Sequence, residues 1–409
     1  MDETDRNSLL DAARAILPTV IEIRRRLHRR PEIGLELPET QRLVAADLAG
    51  IGLTPRLGRS LGSVTAIIEG ARPGPTMLLR ADMDALPLQE ETGLEFASET
   101  PGAMHACGHD THVAMLLGAA RLLLERRDEL CGRVLLMFQP GEEGYHGARV
   151  MLEEGLLDAP PESPATGAFA IHIGTRYESS TINFRPGPQL ASGDTIRITV
   201  RGRGGHASAP HLSVDPIAVA AQIIVALQTM VTRTVDAFDP AVITIADFHA
   251  GTTTNVIPET ASMRGTMRTV SAERRAAVKE RLKSVVEGIA TALGATAEVE
   301  LEAGYPVTSN DPGFCDLVRD EAAALIGDGA VRIMPAPIMG SEDFSYVLEQ
   351  VPGAIVFLGA AAPGVDPKSV PQNHSNRVVF DEPAMAVGTA LYAAVALRHL
   401  ARRSGGPPG

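Results

Sequence analysis

PTMLLRADMD, residues 75–84, is an apolar run of strand length that ends in two aspartates, and its reading decides the fold. Three more runs share its texture: GRVLLMFQPGEE (132–143), GAFAIHIG (167–174) and GAIVFLGA (353–360), each bounded by Gly or Pro. Between the first two lies a helical pattern from His112 to Arg127, with Val113, Leu116, Leu117, Ala120 and Leu124 on its apolar side. Strands alternating with a helix predict an α/β fold with a mostly parallel central sheet covered on both faces. Such sheets bind ligands outside the carboxyl ends of their strands. Asp82 and Asp84 end the first run, Glu142 and Glu143 follow the second, and His172 lies at the end of the third, so all five are expected on one rim. HACGHDTH (105–112) opens the intervening helix and faces the same rim.

From about Ser192 to Ala303 the texture changes. DTIRITVRGRG (194–204), AVITIADFHAG (241–251), ASMRGTMRTV (261–270) and TAEVELEA (296–303) read as strands, and 215–235 and 271–293 as helices. The order βαββαβ is a ferredoxin-like α+β unit. Because the later segments 353–360 and 382–400 return to the first texture, this unit reads as an insertion. The expected divisions are 1–187 for the first part of the main domain, 188–303 for the insert and 304–409 for the second part. The tail RRSGGPPG (402–409) reads as disordered.

With 409 residues, 44% of them hydrophobic, the chain can bury substantial cores. A net charge of −13 repels a phosphate backbone, which argues against nucleic acid as a partner. MDETDRNSLL lacks the basic and apolar regions of a signal peptide. The longest apolar stretch, near Ile217 to Leu227, is broken by Gln222 and reads as too short for a bilayer, so a cytoplasmic protein with no membrane partner is expected. Three cysteines, Cys107, Cys131 and Cys315, are too few for a disulfide framework; the last two suit buried thiols.

Cys107 and His109 stand two apart in a glycine-containing loop, and thiolate with imidazole makes a good first half of a site for zinc or a similar ion. Alone, the cluster suits a solvated helix start equally well. The adjacent carboxylates Glu142 and Glu143 repel one another unless a cation neutralises one. With His172 and His374 the potential ligands number five, more than one tetrahedral ion takes and suited to two ions sharing a bridging ligand. Glu142 is then free to act as a general base. A redox site is disfavoured because Cys107 has no CxxC partner.

RRRLHRRPEIGLELPET (24–40), RADMDALP (80–87), HACGHDTH, QPGEEG (139–144), GRGGHASAPH (202–211), GTTTNVIPE (251–259), GTMRT (265–269), GSEDFSY (340–346) and NHS (373–375) together resemble the two-metal amidohydrolases and peptidases that include aminoacylases, hippurate hydrolases and plant hydrolases of auxin-amino acid conjugates. The resemblance covers nearly the whole chain. It implies a zinc-peptidase-like catalytic domain interrupted by a ferredoxin-like dimerisation domain. By position, it makes Cys107, His109, Glu143, His172 and His374 metal ligands for two divalent ions, with Zn first and Mn, Co or Ni as alternatives. Glu142 falls at the catalytic base and Asp84 at an aspartate that orients a ligand or tunes the site; Asp82 stands where other branches carry a histidine ligand. The histidine matching His206 reaches the partner subunit's active site and polarises the scissile carbonyl. Asn255 and Arg268 match residues that hold a substrate carboxylate, and Gly340 and Ser341 line the pocket, although Ser341 also suits a helix N-cap. Gly141 and GYHGA (144–148) depart from the common pattern and put Tyr145 and His146 near the pocket.

The expected activity is hydrolysis of an N-acyl-L-amino acid, hippurate-like or N-acetylated, by a homodimer; peptide or carbamoyl substrates, or a non-catalytic binding role, remain open. A dinucleotide-dependent dehydrogenase is disfavoured. GRGGHA resembles a dinucleotide loop, but PHLSVDP (210–216) separates it from the next helix.

Overall fold

The computed structural model describes residues 3–403; of the expected disordered tail 402–409, Arg402 and Arg403 instead end the helix Met385–Arg403, and the rest lies outside the described residues. The chain forms two compact units. The first comprises the chain up to Gly187, Ser309–Pro335 and Tyr346 onward; the second comprises Pro188–Thr308 and Ala336–Ser345.

The first unit is built on a sheet of eight strands. Its centre is four parallel strands in the spatial order Cys131–Gln139, Arg72–Asp82, Ala165–Glu178 and Gly353–Ala361, the four runs read from the sequence. Shorter strands flank them: Val64–Glu69 pairs antiparallel with Cys131–Gln139, and Ile182–Phe184 pairs antiparallel with Gly353–Ala361. Chain order reverses between Arg72–Asp82 and Ala165–Glu178, the switch point at which such sheets open a crevice. The ladder between these two strands ends at Arg80 opposite Ala170. Beyond it the Ile171 N–H donates to the Tyr392 hydroxyl and the Ile173 N–H to His112 Nε2, so side chains replace the missing ladder bonds.

Helix His109–Glu125 is almost entirely buried. That explains its lack of a polar face and its start three residues before the expected pattern. Gly108 precedes it with φ +88°, and a Cβ there would lie 2.4 Å from Ile173 Cγ2, so glycine is required. His172 sits within a long strand rather than at its end, because the chain stays extended to Glu178 and pairs onward to Ala361.

The second unit is a four-stranded antiparallel sheet, ordered Ala241–Ala250, Thr260–Thr269, Asp194–Arg201, Thr296–Glu302, with helices Pro216–Thr234 and Ala272–Ala292. Ile196, Ile198 and Val200 alternate inward toward a core shared with Ile223, Leu227, Leu282 and Val286. Asp215 and Ser271 cap the two helices by accepting N–H bonds from Ile217 and Arg274.

Two differences from expectation stand out. Ala336–Ser345, assigned to the second part of the main domain, groups with the second unit because the Ala191 N–H bonds the carbonyls of Ile338 and Gly340. Helix Pro216–Thr234 is long enough, by length and composition, to cross a membrane, as is Glu382–Arg402. The run near Ile217 was therefore not too short. The second helix is mostly buried in the protein, and the first lays Val219, Ile223, Leu227 and Met230 on the sheet.

Candidate metal centre

The five potential ligands come together at the carboxyl rim of the first unit's sheet. Cys107 Sγ lies 3.4 Å from His172 Nε2 and 3.3 Å from His374 Nε2. His374 Nε2 is 3.2 Å from Glu143 Oε1, and His109 Nε2 is 4.0 Å from the same oxygen. Donor atoms within 4.8 Å of one another form the groups Cys107/His109/His172 and Cys107/Glu143/His374, which share the cysteine. Glu142 joins His109 and Glu143 in a third.

The donor set fits divalent cations. Both ring nitrogens of His109, together with Glu143 Oε1, are buried without a hydrogen-bond partner, an arrangement a protein tolerates when an ion takes the lone pair of one imidazole nitrogen and of the carboxylate oxygen. Tautomers agree at His172: its Nδ1–H can only donate to the Ile173 carbonyl, 2.8 Å away, which leaves the Nε2 lone pair free. Burial keeps His172 neutral, with a pKa well below the ordinary range. Burial, reinforced by Glu143, pushes the Cys107 thiol up. His374 rises to about 10 through its contacts with Cys107 and Glu143. For His109, burial opposes the charge, but Asp82 and Cys107 outweigh it and hold the imidazole well above its usual value.

A second ring of residues fixes these ligands. The Asp84 carboxylate accepts the backbone N–H groups of Glu142 (2.9 Å) and Glu143 (3.0 Å) and lies 3.5 Å from His109 Nδ1. Asp82 is not among the five; it bonds Arg80 (2.7 Å) and His112 (2.5 Å) and lies 3.5 Å from His109 Nε2. Asp110 accepts from Arg24 (2.8 Å) and is 2.9 Å from His28 Nδ1, anchoring the helix start to helix Glu3–His28. His105 is buried with neither ring nitrogen hydrogen-bonded, and burial lowers its pKa to about 3. His146 takes a left-handed backbone, φ +59°, and meets the Tyr346 hydroxyl at 2.8 Å; Tyr145 is half exposed.

The other site candidates lie in the second unit. His206 pairs with Val256 in a short ribbon beside Asn255, and its Nδ1 accepts the Ser208 N–H at 3.1 Å. The acceptor role places the neutral ring's proton on Nε2. Arg268 is half-buried and donates to Ser341 Oγ at 3.2 Å. Ser341 is not a helix N-cap, since the helix after it begins at Ser345. Arg24, His28, Arg80 and Asn373 escaped the sequence reading as residues that support the site; what marks them is their partners, most of which lie far along the chain.

A mostly parallel sheet with an inserted ferredoxin-like unit, and a rim of thiol, imidazole and carboxylate donors beside a spare glutamate, define a metal-binding hydrolase. The chain belongs to peptidase family M20/M25/M40, whose sequence profile matches residues 78–398, and it acts on amide bonds. It is 39% identical to thermostable carboxypeptidase 1 of Saccharolobus solfataricus over 95% of this chain and 98% of the relative. It is also 39% identical to N-acetylcysteine deacetylase of Bacillus subtilis, over 94% and 98%. The crystal structure of the Bacillus subtilis YXEP protein, a dinuclear metal-binding peptidase of family M20, matches with TM-score 0.83 at 36% identity, over 95% of this chain and 99% of that one.

Proposed function

We propose that this protein hydrolyses N-acyl-L-amino acids, hippurate-like or N-acetylated, to a carboxylic acid and a free amino acid. The observation that carries the reading is the pair of donor groups sharing Cys107, with Glu142 buried beside them. Cys107, His109, Glu143, His172 and His374 would hold two divalent ions, Zn first and Mn, Co or Ni as alternatives, and these supply Lewis acidity that activates water and polarises the carbonyl. Glu142 takes the proton of the attacking water and passes it to the leaving amine. Asp84 keeps Glu142 aimed by holding its backbone N–H. His206, presenting Nε2–H, donates to the oxyanion from the second subunit of a homodimer. Arg268, with Asn255, Gly340 and Ser341, receives the substrate carboxylate.

Two observations support the dimer. The outward side of Pro216–Thr234 exposes Ala218, Ala221, Val225 and Thr229 with no charge among them, and Ala241–Ala250 ends the sheet with Val242 and Phe248 exposed. The relatives' names favour acetyl and peptide substrates alike. The C-terminal amide of a peptide is itself an N-acyl amino acid, so a panel of acetyl, benzoyl, peptidyl and carbamoyl amino acids decides among them. The test is Glu142→Gln: with metal content unchanged, kcat falls roughly 10²–10⁴-fold, and mixing it with His206→Ala, itself inactive, restores activity through heterodimers. Retained hydrolysis by Glu142→Gln with both ions bound sinks the assignment of the base; absence of complementation sinks the trans role of His206.

A further inference from the structure

The amide of Asn373 touches two ligand-bearing segments at once and belongs to a third, the one that carries His374. Its Nδ2 donates to the carbonyls of Cys107 (3.0 Å) and Ile173 (2.9 Å), and its Oδ1 accepts the Thr175 N–H (3.3 Å). The amide cannot be flipped, because two carbonyls only accept and a backbone N–H only donates. Ile173 follows His172, and its carbonyl is the one that fixes the His172 tautomer. The next residue, His374, is held with φ +68°, a backbone costing a non-glycine residue about 1–2 kcal/mol. Its N–H donates to the Ala106 carbonyl at 2.9 Å, so the turn is tied to the cysteine loop on both sides of the ligand.

We propose that Asn373 is the positioning residue of the metal centre: one amide sets Cys107, His172 and His374 relative to one another, so that the shared thiolate faces both imidazoles. The inference rests on the metal-centre reading. Asn373→Asp is nearly isosteric but turns a carboxylate toward two carbonyl oxygens, so it tests the donor and not the volume. Gln372→Ala is the control. It removes bonds to the carbonyls of Pro367 and Val370 inside the same loop without touching a ligand-bearing segment.

The experiment titrates each metal-free protein with Co(II), following the thiolate-to-cobalt charge-transfer band, and measures Zn(II) affinity by competition with a chromogenic chelator. Asn373→Asp is expected to weaken both ions' binding about 10–100-fold and to shift the cobalt spectrum, while Gln372→Ala matches wild type in both. Unchanged affinity and spectrum in Asn373→Asp, or an equal loss in Gln372→Ala, overturns the proposal. Wild-type protein that binds neither ion overturns the metal-centre reading beneath it. If Asn373→Asp does not fold, Asn373→Ala, which removes the donors without adding charge, is read by the same criteria.

Discussion

Replacing Arg24 with methionine tests how the start of helix His109–Glu125 is held. Arg24 is 1% exposed and its partner Asp110 fully buried, so the substitution strands a carboxylate where water cannot reach it. Removing one partner of a buried pair costs about 3–5 kcal/mol. Two features place the loss toward the lower end: Asp110 keeps His28 at 2.9 Å, and Glu382, the other partner of Arg24, keeps Arg25. Methionine also retains most of the aliphatic stem, while the guanidinium over the Phe96 ring is lost. The expected loss is about 3 kcal/mol, read by urea unfolding followed by far-UV circular dichroism, since the chain has no tryptophan. Adding Asp110→Asn removes the stranded charge and should recover more than about 1 kcal/mol. The sign with pH follows from linkage. Burial opposes the Asp110 charge, but Arg24 and His28 depress its pKa far below the ordinary range. The stabilisation is therefore complete above about pH 4 and lost as pH falls toward the folded value, so the gap between wild type and variant narrows in acid. A loss under about 1 kcal/mol, or no recovery in the double variant, refutes the reasoning.

Gly108→Ala combines a left-handed backbone with a Cβ 2.4 Å from Ile173 Cγ2 and 3.0 Å from Phe380 Cζ, so about 2–5 kcal/mol of stability should go. Metal affinity should fall with it, because Ile173 orients His172; a melting temperature equal to wild type contradicts this. Metal uptake near pH 7 should release at least two protons per subunit, because the Cys107 thiol is raised and His374 sits at about 10, and both must deprotonate to ligate. Affinity accordingly rises with pH through that range. Titration calorimetry in buffers of different ionisation enthalpy measures the release, and identical heats in all buffers rule it out.

Much of the fold was legible because the long central elements carry a local signature: period-2 alternation in 194–201, apolar runs bounded by Gly or Pro at 75–82 and 132–139; the short flanking strands Val64–Glu69 and Ile182–Phe184 were not read. The five donors were legible for a different reason. Thiol, imidazole and paired carboxylates are each ambiguous alone, but five of them together, Glu143 and His172 near the ends of strand-like runs, make a conspicuous set. The residues that aim them are not conspicuous. Asn373 is a neutral amide whose partners lie 198 to 266 residues away, and Arg24 is one of several arginines in RRRLHRR until Asp110 is found against it. The grouping of Ala336–Ser345 with the second unit was hidden as well, since backbone bonds from Ala191 leave no trace in composition.

The gap between strands Arg72–Asp82 and Ala165–Glu178 is bridged partly by Tyr392, which also donates to the Arg80 carbonyl at 2.7 Å. That residue belongs to helix Met385–Arg403, which follows all five donors in the sequence. A ribosome making this protein completes every donor of the metal centre before it makes the hydroxyl that ties the two central strands together. A deletion reaching back past Tyr392 should therefore leave all five candidate donors in the chain and the two central strands without their bridge.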